Sequence, residues 1–128
     1  MKIKRFEDLE IWQIARELYK YVFKLTSENP FYSDIRFRDQ MRASAGSMMD
    51  NIPEGFERGG NKEFFQFLSI AQGSCGELRS QSYRAFDSKY ILEEQLNHLL
   101  EKTELFSRKI TRLMSYIKSS AFKGTKYT

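Results

Sequence analysis

Seven cations stand in three short groups: Arg36 and Arg38, then Arg58 and Lys62, then Arg108, Lys109 and Arg112. Lysine and arginine neutralise phosphate, and the planar guanidinium does so through several N–H donors at once. Grouped cations on a modestly basic chain therefore point to phosphate-directed binding of nucleic acid. A further group, Lys2, Lys4 and Arg5, opens the chain, and Arg42 follows the first pair. Acids stand close by, among them Asp39, Glu63 and Glu104. The same groups thus also read as solvated helix faces with local ion pairs of little energetic weight. For a single chain both readings stay open. In an assembly of identical copies each patch repeats around the axis and the fields add, which favours binding.

Other chemistry has less to work with. The only cysteine, Cys75, falls at a core spacing among small residues, and no histidine lies at a level to activate it. The only histidine, His98, has Gln95 rather than glutamate three residues before it. A di-iron carboxylate bundle needs Glu-x-x-His pairs facing inward, so that arrangement is missing. His98 reads as a solvated residue on a polar face. "ERGG" lacks the lysine and hydroxyl of a phosphate loop. The expectation is a protein with no catalytic residue, no metal and no cofactor, and hence not an enzyme.

The 128 residues suit one domain, and 41% hydrophobic with 30% charged residues suits a globular one. The 21 basic against 17 acidic side chains leave a net charge of +4, which permits nucleic-acid binding without requiring it. The start, "MKIKRFEDLEIW", has no apolar run of signal-peptide type. No stretch approaches the ~20 apolar residues of a membrane span. One cysteine excludes an intramolecular disulfide, and a cytoplasmic location follows as the simplest expectation.

These side chains need elements to hold them, and four periodic segments supply them. The first runs from about Phe6 to Glu28, with apolar Ile11, Ala15, Leu18, Val22 and Leu25 at alternating spacings of four and three. Trp12, Ile14, Tyr19, Tyr21 and Phe23 widen its apolar face well beyond the stripe of about 100° that a surface helix needs. Trp12, Tyr19 and Phe23 are therefore the candidates for a contact with a second copy. The second segment runs from about Asp34 to Phe56 and the third from about Lys62 to Asp87. The fourth spans Leu92 to Lys118, with Leu92, Leu96, Leu99, Thr103, Phe106, Ile110, Leu113 and Ile117 in register. "ENPFYSD", "ERGGN" and "DSKY" separate them, with Ser33 or Asp34 and then Asn61 as helix caps. Nothing alternates like a strand. Long helices joined by short loops give an all-α, antiparallel up-down-up-down four-helix bundle over residues 1–118, with a flexible tail at 119–128.

"RASAGSMMDNIPEGFERGG" is a weak stretch of helix, because glycine and proline both lower helix stability. Folding the second and third helices into a hairpin at Gly59-Gly60 sets Ala43 near Gly76, Gly46 near Gly73, and Ser47 near Gln72. The reading is that Ala43, Gly46, Gly73 and Gly76 let the two backbones approach closely. The alternative is a loop at 43–47 that splits the second helix. The same register predicts a structural ion pair between Arg42 and Glu77. No aromatic platform with interleaved basic residues of single-strand type is evident, so binding by phosphate contact with little base readout is expected.

"FEDLEIWQIARELY", "DQMRASAGSMMDNIPEGFERG" and "KEFFQFLSIAQGSCGEL" together resemble the four-helix bundle proteins encoded in intervening sequences of bacterial 23S rRNA genes. The matching positions include Leu9, Trp12, Ala15, Arg42, Asn51, Glu54, Gly55, Arg58, Gly73, Ser74, Glu77 and Leu78. The family in turn resembles the accessory bundle protein of diversity-generating retroelements. The resemblance implies a homo-oligomer, a pentameric ring of bundles, with basic surfaces for structured RNA or an RNA–DNA hybrid. It equally implies an adaptor role, in which the bundle docks a polymerase-type protein. The chain departs from the family pattern at Ala43-Ser44-Ala45, where an arginine-rich opening is usual, and at Pro53.

Overall fold

The computed structural model describes residues 3–119. Lys2 and the expected flexible tail from residue 120 onward lie outside the described residues. Four helices carry the fold: α1 (Glu10–Thr26), α2 (Ile35–Arg58), α3 (Asn61–Asp87) and α4 (Glu93–Lys118). Short 3-10 turns at Phe6–Asp8 and Phe31–Ser33 precede α1 and α2. Each helix packs on its neighbours in the chain, and α4 returns to α1, so the four close into an antiparallel bundle. Among the described residues there is no strand, and no helix is long and apolar enough to cross a membrane.

The core follows the apolar periodicity. Ile11, Ala15, Leu18, Val22 and Leu25 of α1 face Phe37, Met41, Ala45, Met48, Ile52 and Phe56 of α2. Phe64, Leu68, Ala71, Cys75, Leu78 and Ala85 of α3 meet Leu96, Leu99, Thr103, Phe106 and Ile110 of α4. The fourth helix departs from the expected register at both ends. Leu92 is exposed because it is the N-cap, and toward the C-terminus Met114 is buried where Leu113 is half-buried. A straight helix of 3.6 residues per turn drifts against a 3.5 repeat, which moves the buried stripe by a residue over several turns.

Helix ends obey local chemistry. Asp34 caps α2, its carboxylate accepting from the Phe37 N–H at 3.3 Å. Gly59 ends α2 at φ 88°, a left-handed conformation that glycine adopts without a Cβ penalty. Asn61 is not the cap of α3. Gly60 holds that position without a side-chain bond, and Asn61 is the first helical residue. At α4 the Gln95 side chain accepts the Leu92 N–H at 2.7 Å. Two residues beyond α3, Lys89 takes φ 64° in a turn closed by Tyr90 N–H to Ala85 C=O at 2.9 Å. Helix α2 runs unbroken through 43–47 and for a turn beyond Pro53. The small residues do not split it.

Candidate nucleic-acid interface

Helix length separates the cations that the sequence grouped. Arg36 and Arg58 sit at opposite ends of α2, 22 residues or about 33 Å apart at 1.5 Å per residue. Arg38 joins Arg36 at one end, while Lys62 joins Arg58 at the other. Arg108, Lys109 and Arg112 lie on α4 beside the start of α1, where Lys109 Nζ pairs with Glu10 Oε1 at 3.1 Å. No single patch unites all seven.

Their electrostatic states also differ. Arg38 pairs with Asp39 at 2.9 Å, Arg58 with Glu54 at 3.0 Å, and Lys109 with Glu10. The hydrogen bond to Asp39 pushes the Arg38 pKa further up. Arg36, Lys62, Arg108 and Arg112 are exposed and form no ion pair among the described residues. These four carry the uncompensated surface charge of the predicted set.

Arg42 does not pair with Glu77. It turns toward α1, donating Nε–H to Thr26 Oγ1 at 2.7 Å and Nη2–H to Ser27 Oγ at 3.1 Å, with its guanidinium 4.2 Å from the Phe23 ring centre. Glu77 instead accepts from Ser44 Oγ at 3.0 Å, and Ser47 meets Ser74, hydroxyl to hydroxyl, at 2.7 Å. Ser47 thus sits opposite Ser74 rather than Gln72, a slip of two residues, and Arg42 leaves α2 on the side of α1 while Ser44 and Ser47 face α3.

Nor do Ala43, Gly46, Gly73 and Gly76 make a close helix contact. Ala43, Gly73 and Gly76 are exposed, and a Cβ on either of the last two would meet nothing within 4 Å. A Cβ on Gly46 would approach Tyr19 of α1 at 3.9 Å. The close approach lies near the hairpin turn, at Gly55. A Cβ there would stand 2.7 Å from Phe67 Cβ and 3.3 Å from Phe64 Cα. Gly55 was not among the residues expected at a close helix contact.

The broad apolar face of α1 is mostly covered within the chain. Phe6 lies edge-on to Trp12 with centres 5.2 Å apart, and Tyr19 is half-buried. The Tyr21 ring meets His98 at 4.4 Å, so His98 is half-buried between α1 and α4 rather than solvated. Phe23 stays 46% exposed.

Cys75 is buried, its thiol donating to the Thr103 carbonyl at 3.3 Å. Burial pushes its pKa up to about 11, against a smaller downward pull from Arg79. The neutral thiol is therefore favoured by folding. This contribution to stability is complete below the ordinary value of 9.0 and is lost as pH rises through about 11. Ellman's reagent at pH 8 is expected to leave Cys75 of the folded protein unmodified, and to titrate it fully in denaturant. Rapid labelling of the folded protein would contradict the burial. Among the described residues no three His, Cys, Asp or Glu side chains gather as a metal site requires.

Sequence reasoning missed a pattern of arginine on aromatic rings. Arg38 lies 4.6 Å from the Tyr32 ring centre, and Arg42 covers Phe23. Elsewhere Arg58 lies over Phe67 and Arg84 over Phe37. Tyr32 precedes Arg38 by six residues and Phe23 precedes Arg42 by nineteen, so no local spacing rule links them.

Four antiparallel helices, cations on the outer faces and a neutral buried thiol define an all-α bundle with its polar chemistry on the surface. The model of the 23S rRNA-intervening sequence protein family matches residues 7–112, and the chain belongs to that family. A search of curated proteins finds no match to the chain.

Proposed function

We infer that the protein is a non-enzymatic binding bundle that holds nucleic acid by its phosphates, structured RNA or RNA–DNA being the expected form. The observation that carries this reading is the set Arg36, Lys62, Arg108 and Arg112, exposed and without ion pairs among the described residues, on a chain of net charge +4. Counterions held by phosphate are released when such cations bind, and that release is the driving force. Assembly is part of the reading. Copies joined along the apolar face of α1 would repeat each patch and add their fields. The pentameric number rests on the family resemblance alone. The lone cysteine suits the cytoplasm.

A salt titration of binding to generic RNA and duplex DNA tests the reading. The log of the affinity should fall linearly with the log of the salt concentration. Replacing any one of Arg36, Lys62, Arg108 or Arg112 by alanine should weaken binding to all sequences alike. Each that touches phosphate should flatten the slope by about 1. Lys109→Ala is the control. Glu10 already holds Lys109, so the slope should change less than for the four cations without ion pairs. Absence of binding at ~50 mM salt, where this force is strong, would transfer the function to the adaptor reading. That second reading has its own support in Ile70, half exposed beside Phe65 and Lys62 on the α3/α4 edge, an apolar surface suited to a protein partner such as a polymerase.

A further inference from the structure

We propose that the arginine–aromatic pairs at the α1/α2 edge form a subsite for single-stranded nucleic acid, with unpaired bases on the rings and phosphates on the guanidinium groups. This rests on the nucleic-acid reading above and narrows it to a substrate form and a place.

The placement follows from helix geometry. Ile35, Arg38 and Arg42 lie at i, i+3 and i+7 on α2, so they stand above one another on one face. The 3-10 turn before α2 delivers Tyr32 to Arg38, whose Nη1–H donates to the Tyr32 carbonyl at 3.2 Å. The last turn of α1 delivers Phe23 to Arg42, and the Thr26 and Ser27 hydroxyls lock that guanidinium. The two arginines that carry these stacks therefore leave α2 four residues, about 6 Å of helix rise, apart. A spacing of that order suits successive nucleotides of an unstacked strand.

Exposure and donor count supply the rest. Phe23 is 46%, Tyr32 47% and Ile35 60% exposed, so three apolar side chains stand in solvent around the two arginines. Aromatic rings left in water beside cations match what a single strand presents, bases with two open π-faces and a phosphate at each step. A duplex hides those faces and gains nothing from the rings. A guanidinium has five N–H donors, and Arg42 commits two of them, to Thr26 and Ser27. Arg38 likewise commits Nε–H to Asp39 and Nη1–H to Tyr32, and with its side chain only 16% exposed it chiefly holds the Tyr32 ring in place, leaving Arg42 as the main phosphate contact. Asp39 offsets part of the charge of Arg38, but the two hydroxyls on Arg42 are neutral and leave its charge whole. Locked donors cost less entropy on binding than free ones.

The test compares fluorescein-labelled oligo-uridine and oligo-thymidine with a duplex of equal length, by anisotropy at fixed salt. The variants are Phe23→Leu and Tyr32→Leu, which keep apolar bulk and remove the π-face. Tyr83→Leu, an exposed aromatic on α3, is the control. Each of the first two should weaken single-strand binding about tenfold, within the range for stacking on one ring. Duplex binding, the salt slope and the melting temperature should not change, and Tyr83→Leu should bind as wild type. A photo-cross-link from 5-bromouridine should map to the segment carrying Tyr32 or Phe23. Wild-type single-strand affinity in both variants, with the Arg36, Lys62, Arg108 and Arg112 variants still weakened, would overturn the subsite and leave the wider reading standing. Failure of every probe to bind at low salt would overturn both. Loss of assembly on Phe23→Leu, read by sedimentation, would place Phe23 between copies and also overturn the subsite.

Discussion

Replacing Gly55 by leucine is expected to cost about 3 kcal/mol of stability or more, the upper part of the range for overpacking a closed site. The Cβ alone would stand 2.7 Å from Phe67 Cβ and 3.3 Å from Phe64 Cα. Neither atom is the free end of a side chain, so rotamer changes cannot relieve the clash. The hairpin of α2 and α3 must open, and Phe56, stacked edge-on against Phe64 at 5.8 Å, must move with it. Gly73→Ala should do the reverse. Gly73 is an exposed position in mid-helix with open space around it, so alanine gains roughly 0.5–1 kcal/mol in helix stability. Chemical denaturation of both variants checks the pair. A Gly73 variant that is destabilised, or a Gly55→Leu variant as stable as wild type, would contradict the packing described.

Phe31→Ala is expected to cost about 3–5 kcal/mol, as for other fully buried aromatic side chains. Phe31 has no exposed surface and joins three parts of the chain at one end of the bundle. Its ring stacks on Phe37 of α2 with centres 5.1 Å apart and on Tyr90, before α4, at 4.8 Å. The Tyr90 hydroxyl donates to Asp34 Oδ2 at 2.8 Å, and the same carboxylate caps α2. That hydrogen bond is the main reason the Tyr90 pKa is raised. Removing the ring therefore empties a cavity and loosens the cap at once. Tyr32 is the next residue, so the variant should also lose the Tyr32–Arg38 stack and weaken single-strand binding. Urea unfolding reads the first effect. A stability within 1 kcal/mol of wild type, well below the cavity range, would show that the connector repacks without Phe31.

What the sequence determined by itself is the part of the protein governed by periodicity and local chemistry. Spacings of four and three placed Ile11 to Leu25, Phe64 to Ala85 and Leu96 to Ile110 in the core, because one face of a helix returns every 3.6 residues whatever lies opposite. Short loops with glycine and proline imposed the antiparallel order, and Asp34 showed itself as a cap by residue type. The motif series between Leu9 and Leu78 carried the family. Tertiary structure alone decided which partner each polar side chain found. Ser47 meets Ser74, two residues from the position expected, Arg42 reaches Thr26 and Phe23 of α1 rather than Glu77, and Gly73 faces open space. A helix pattern specifies the angle at which a side chain leaves its axis but not the axial register of the neighbouring helix. Register depends on the fit of unlike shapes, here Gly55 under Phe64 and Phe67. The candidate interface was legible as residue types and illegible as an arrangement, because Phe23 with Arg42 and Tyr32 with Arg38 become neighbours only when the α1–α2 connector has folded back.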